Sequence, residues 1–181
     1  EYIFDEYNPV ILNNVINDDA LIVLQNFIKD AINRKEIDLG DRQSNRFRAR
    51  NETVTRFLHY EVLELIRKIT KKDVRPTYTY LSCYTKDADL PAHTDQPDCE
   101  YTVSFIIDKP ENSNWPIYLD KKKQPHKHKG RADHTPKKED CISCDCDSGG
   151  LMIFNGTDHI HYREPSIYDY YNIVLLHYRI N

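Results

Sequence analysis

An α+β fold, with its sheet rolled into a sandwich or barrel, follows from three features of the sequence. Apolar residues recur at helical spacing in two segments before Pro76. Residues alternate with period two in several short segments after it. Turn residues punctuate those later segments.

The first helix is capped by Asn17 or Asp18 and runs to about Ile32, with Leu21, Leu24, Phe27, Ile28 and Ile32 on one face. Gly40 to Arg50 is polar and reads as a loop. A second helix spans about Glu52 to Lys71, with Phe57, Leu58, Val62, Leu65, Ile66 and Ile69 as its stripe, and Asp73 and Pro76 stop it. Tyr78, Tyr80 and Ser82 then alternate with Thr79, Leu81 and Cys83. Further strands are Glu100 to Asp108, Trp115 to Leu119, Leu151 to Asn155, His159 to Arg163, and Tyr171 to Arg179. Turns fall at Lys86-Asp87, Asp108 to Asn114, Ser148-Gly149-Gly150 and Asn155-Gly156. Leu119 to Asp140 is strongly basic, lacks apolar periodicity and reads as a long, mobile surface loop. Its lysines suit either simple solvation or the steering of an acidic substrate or phosphate backbone.

The 181 residues suffice for one core, so the chain is read as one domain, 1–181. Residues 1–73 form mainly helical support, and residues 74–181 form the β-core with the basic loop at about 120–140. A net charge of −4 gives no reason to expect nucleic acid as the partner. No apolar run reaches membrane-spanning length, and what is visible has no signal-peptide pattern. Five cysteines, an odd number and too few for a disulfide scaffold, point to a reducing, intracellular and cytoplasmic setting. Thirteen tyrosines favour strands and bring hydroxyls into half-buried sites.

The chemistry concentrates in "PAHTD" and "GGLMIFNGTDHIHYREP". Strand residues two apart share a side, so His93 and Asp95 converge while Thr94 points away. An imidazole beside a carboxylate suits a divalent first-row metal such as iron. His159 or His161, on a later strand, supplies a second imidazole. Two histidines and one carboxylate cover one face of an octahedral ion and leave the other open. Thr102 and Ser104 share a face and point into the same cavity. Cys141, Cys144 and Cys146, with His126, His128 and His134, also permit a zinc site, although Ile142, Cys144 and Cys146 equally alternate like inward strand residues.

The segments "PTYTYLSCYTKDADLPAHTD", "NWPIYLD", "GGLMIFNG", "HIHYREP" and "VLLHY", in that order, resemble the Fe(II)/2-oxoglutarate-dependent dioxygenases of the prolyl-4-hydroxylase-like type. The likeness covers about Arg75 to Tyr178. It implies a double-stranded β-helix, the jelly-roll or cupin-like rolled sheet, with the N-terminal helices packed on one face. It also implies His93, Asp95 and His161 as iron ligands. His161 is preferred to His159 because His161-Tyr162-Arg163-Glu164 matches the family segment. Tyr84 matches the tyrosine that hydrogen-bonds the co-substrate. The co-substrate's far carboxylate needs a cation, and Arg163, on the face of His161, is the first choice with Arg179 in reserve.

Two departures stand out. Tyr171 and Asn172 occupy the place where prolyl hydroxylases carry the basic residue, and Gly149-Gly150 replaces a common Gly-Asp. The implied activity is hydroxylation of an unactivated C–H bond in a protein side chain, amino acid or small metabolite. It consumes O2 and 2-oxoglutarate, releases succinate and CO2, and is supported by ascorbate. A nucleic-acid demethylase is disfavoured, because the paired arginines of such enzymes are missing. The competing classes are a non-catalytic β-barrel binding module and a zinc-stabilised interaction domain built on the Cys/His loop.

Overall fold

The computed structural model describes residues 4–5, 7–41, 43–124 and 130–181. The chain runs β1 (Val10–Leu12), α1 (Asp18–Asn33), β2 (Asp38–Leu39), β3 (Arg46–Arg50), α2 (Thr53–Glu61), α3 (Leu63–Thr70), β4 (Val74–Thr85), β5 (Leu90–Thr94) and β6 (Tyr101–Asp108). It continues β7 (Ile117–Lys123), β8 (Gly130–Arg131), β9 (Cys141–Cys144), β10 (Leu151–Phe154), β11 (His159–Arg163) and β12 (Tyr170–Ile180). A seven-stranded sheet has the order β1-β10-β6-β12-β4-β3-β2, and a five-stranded sheet the order β8-β5-β11-β7-β9. All pairings are antiparallel. The two sheets enclose Ile106, Met152, Phe154 and Ile173 from the larger and Leu90, Ile117, Leu119 and Cys144 from the smaller, which makes the fold a jelly roll.

Alternation along each strand decides which side a residue serves. On β6, Val103, Phe105 and Ile107 face a core shared with the helices, and Ile106 faces the space between the sheets. On β12, Val174, Leu176 and Tyr178 go to the helices while Tyr171 and Ile173 turn inward. The inward positions change character along the sandwich. Ile106 and Ile173 give way to Ser104, Thr102 and His177, which line a cavity at one end. That polar end is where chemistry is possible; the apolar end holds the sheets together.

Asn17 caps α1, its Oδ1 accepting from the Ala20 amide at 2.8 Å, and Asp18 and Asp19 favour the positive helix end. Leu24, Ile28 and Ala31 of α1 and Ile66 and Ile69 of α3 share one core with Val103, Phe105 and Leu176. No helix among the described residues is long and apolar enough to cross a membrane.

The structure differs from the sequence reading in four places. Gly40 to Arg50 is not all loop: Arg46–Arg50 forms β3, paired to β4. Its inward residues are arginines rather than apolar groups, so the alternation of Phe47 and Ala49 toward the helices was masked. The N-terminal segment carries, besides its three helices, strands that the sequence reading did not separate, since β1, β2 and β3 complete the larger sheet. The second helix is two, α2 and α3, broken at Val62. The buried face keeps its phase through the break (Thr55, Leu58, His59, Val62, Ile66, Ile69), so Phe57 falls outside it and is exposed while His59 is buried. Finally, part of the described basic segment is paired: β7 reaches Lys123, and β8 pairs with β5. Backbone pairing between strands needs no apolar pattern.

His59 carries a testable consequence. Its Nε2 donates to the His177 carbonyl at 2.9 Å, its Nδ1 is buried without a partner, and its ring meets Tyr178 edge-on. Burial depresses its pKa from 6.5 to about 4. The unfolded chain then binds the extra proton first, so stability falls as pH drops from 6.5 towards 4. The expected loss is at most roughly 3 kcal/mol. Denaturant unfolding across that range should show it, and His59→Gln should lack that component.

Candidate metal centre

β5 and β11 are neighbours, and their register sets His161 directly opposite His93, with ring centroids 4.3 Å apart. Asp95 lies just past the end of β5, where its amide donates to the Gly156 carbonyl at 2.8 Å. That bond ties the carboxylate to the turn between β10 and β11. Asp95 Oδ1 lies 3.5 Å from His93 Nε2 and 3.6 Å from His161 Nε2. One ligand atom from each of the three residues falls within 4.8 Å of the others.

The supporting hydrogen bonds fix the chemistry of each atom. His93 Nδ1 lies 2.8 Å from the Pro91 carbonyl and His161 Nδ1 lies 3.0 Å from the His159 carbonyl. A carbonyl can only accept, so Nδ1 carries a proton in both rings, and in the neutral rings each Nε2 presents a lone pair. Thr102 Oγ1 donates to Asp95 Oδ2 at 2.7 Å, leaving Oδ1 turned to the histidines. Burial alone would raise the Asp95 pKa, but His161 and His93 overcome it and hold the carboxyl well below the usual range. Burial lowers His161, and the Asp95 charge outweighs that and raises it. Two imidazole nitrogens and one carboxylate oxygen on a shared point are a donor set suited to a divalent first-row metal such as Fe(II).

The centre opens into a cavity of about 660 Å³. Tyr84 lines it, and its hydroxyl accepts from Arg46 Nη1 at 2.6 Å. Arg163 lines it too and is 3% exposed. Arg163 Nη1 donates to the Trp115 carbonyl, and its guanidinium sits 4.7 Å from the Trp115 ring centre. Its Nη2 is buried without a partner. Thr102 and Ser104 line the cavity as read from the sequence. Arg179 does not: it is exposed and pairs with Asp98 at 3.3 Å. His159 is buried nearby, but a bulge in the pairing with β7 separates it from His161, and its Nδ1 donates to the Asp120 carbonyl at 2.8 Å.

Arg46, Asp41, Tyr78 and His177 also line the cavity and were not singled out from the sequence. The available signal for Arg46 was its spacing with Arg48 and Arg50. Asp95, Cys99 and His177 form a second close group. There, Cys99 Sγ is 3.0 Å from the Tyr78 hydroxyl and His177 Nδ1 is 3.1 Å from Thr102 Oγ1. Burial pushes the Cys99 thiol up to about 12, and His177 is linked to Asp95 through Thr102. Cys141, Cys144 and Cys146 are buried free thiols. Among the described residues no ligand group contains them or His134, and His126 and His128 lie outside the described residues.

No family model and no curated protein sequence matches this chain. Solved structures do match it in shape. A prolyl-4-hydroxylase from Pseudomonas putida matches with a TM-score of 0.70 at 10% identity, covering 96% of this chain and 92% of that one. A Trichoplax adhaerens prolyl hydroxylase in complex with a hypoxia-inducible-factor peptide fragment matches at 0.68 and 15% identity, covering 93% and 82%. HygX from Streptomyces hygroscopicus, with nickel and 2-oxoglutarate bound, matches at 0.64 and 12% identity, covering 96% and 83%. The chain thus has the jelly-roll fold of these prolyl hydroxylases and of HygX.

Proposed function

We propose that the protein is an Fe(II)- and 2-oxoglutarate-dependent oxygenase of the prolyl-4-hydroxylase-like type, hydroxylating a C–H bond in a protein side chain, amino acid or small metabolite. The carrying observation is the meeting of His93 Nε2, His161 Nε2 and Asp95 Oδ1 in a cavity that also holds a buried guanidinium with one unpartnered nitrogen. In this reading residues 1–181 act as a single unit, with the helices buttressing the sheet that carries the site.

His93, Asp95 and His161 would hold the iron, with Thr102 fixing which carboxylate oxygen faces it. When bound, iron and 2-oxoglutarate activate O2 and couple loss of CO2 from the keto acid, which leaves as succinate, to oxygen insertion into a C–H bond. Arg163 Nη2 and the Tyr84 hydroxyl would take the far carboxylate of the keto acid. An unpartnered buried guanidinium nitrogen is costly, and a carboxylate removes that cost with a charge-assisted bond. The Trp115 carbonyl and ring hold Arg163 in place for it. HygX binds nickel and 2-oxoglutarate on the same fold, which supports this pairing of ligands.

The test is incubation of the purified protein with Fe(II), ascorbate and 2-oxoglutarate, alone and with peptide and metabolite panels, and measurement of succinate. Arg163→Met should raise the KM for 2-oxoglutarate by about tenfold or more while the metal still binds. A protein that binds no divalent metal under anaerobic titration would end this reading.

A further inference from the structure

Arg46, Arg48 and Arg50 alternate with Phe47 and Ala49 on β3, so all three share the side turned away from the helix-packed core. Their situations differ. Arg46 is fully engaged: Nε on Asp41 at 2.8 Å, Nη1 on Tyr84 at 2.6 Å and Nη2 on Gln43 at 3.2 Å. Arg48 also lines the cavity, and among the described residues its side chain makes one hydrogen bond, from Nε to the Gly40 carbonyl at 2.9 Å. Arg50 sits over the Tyr78 ring, 4.1 Å from its centre. Arg131 stands opposite His93 in register and lines a side opening of about 310 Å³ together with Tyr78 and His93. Among the described residues, Arg48, Arg50 and Arg131 form no ion pair.

The charge balance of the cavity wall makes this meaningful. Its charged residues are Arg46, Arg48 and Arg163 against Asp41 and Asp95. Arg46 and Asp41 cancel at contact distance. On the function proposed above, Asp95 goes to the metal and Arg163 to the keto acid. A divalent ion and a doubly charged keto acid then cancel each other, and the guanidinium of Arg48 is left over. A surplus charge in a partly desolvated cavity is unfavourable unless a counter-charge enters.

We infer that Arg48, with Arg50 and Arg131 at the rim, binds an anionic group on the molecule that is oxidised, so the prime substrate is a small carboxylate- or phosphate-bearing compound whose body lies along Tyr78 and Tyr80. This rests on the oxygenase reading for the word substrate, but not for the anion site. The cavity volume suits a small molecule. Ser104 Oγ, buried without a partner on the cavity wall, offers one more hydrogen bond to such a ligand. Arginine suits both oxyanions because its fork of donors meets two oxygens at once.

Isothermal titration of the full chain, loaded with redox-inert Mn(II) and 2-oxoglutarate, tests it with matched probes: 3-phenylpropionate, phenyl phosphate and 3-phenylpropionamide. At least one anion should bind about tenfold or more tighter than the neutral amide, and the tighter of the two names the group. Arg48→Met should reduce that preference to about twofold or less, and Arg48→Lys should keep part of it. Thermal melts establish that the variants fold. Equal binding of anions and amide, or a preference that survives Arg48→Met, overturns the proposal. Titration of 2-oxoglutarate into Arg163→Met separates the two readings. Failure of Mn(II) and 2-oxoglutarate to bind, with an Arg48-dependent anion preference intact, removes the oxygenase and leaves the anion site. Normal loading without that preference removes only the anion site.

Discussion

Asp95→Ala is expected to weaken metal binding by more than about 100-fold, beyond what changes merely adjacent to a metal ligand produce, and to end turnover of 2-oxoglutarate. Asp95 supplies the sole carboxylate of the three-residue group. Without it, two imidazoles face a divalent cation with no negative charge to offset it, and the third coordination position is lost. The measurement is anaerobic titration with Mn(II) or Fe(II), paired with thermal melts. Metal present at about 100 times its dissociation constant should stabilise the native protein by about 2.7 kcal/mol, and the variant should show no metal-dependent shift. A cooperative melt of the metal-free variant separates ligand loss from misfolding. His161→Ala should behave in the same way, whereas His159→Ala should keep the metal. Native-like affinity in Asp95→Ala would show that the ligand set is wrong.

Gly156→Ala is the second large effect, and it acts without touching a ligand atom's identity. A methyl at that position would lie 2.1 Å from Asp95 Oδ2 and 2.7 Å from Thr102 Oγ1. Neither group is at liberty to retreat. Asp95 is held by its own amide on the Gly156 carbonyl, and Thr102 donates to the same carboxylate oxygen. Relieving the clash needs a displacement of about 1 Å, which at a reacting centre costs on the order of 100-fold in rate. The expected result is a folded protein with metal affinity and succinate production both reduced. Steady-state kinetics and metal titration on the same preparation check it, and an unchanged metal affinity would contradict the geometry. A related constraint explains Gly150. A Cβ there would fall 2.9 Å from both Asn13 Oδ1 and the Leu12 carbonyl, so the N-terminal strand occupies the space of a side chain.

Local pattern in the sequence was enough for what depends on neighbours along the chain. The cap of α1, the alternation of β6 and β12 and the spacing of His93 and Asp95 are all short-range features, written in periods of two or 3.6 residues. Where an inward position is polar for function, that pattern broke down. β3 read as a loop because its cavity-facing residues are arginines, and the buried place expected for Phe57 belongs to His59, a polar residue on the same face as Thr55, Val62 and Ile66. Tertiary structure alone decided the rest. The register of β5 against β11 put His161, not His159, opposite His93; the curl of the sheet buried Arg163 in the cavity and left Arg179 in water; and the approach of the turn after β10 made Gly156 a matter of space beside Asp95. Those outcomes depend on contacts between residues far apart in sequence, which no local period encodes.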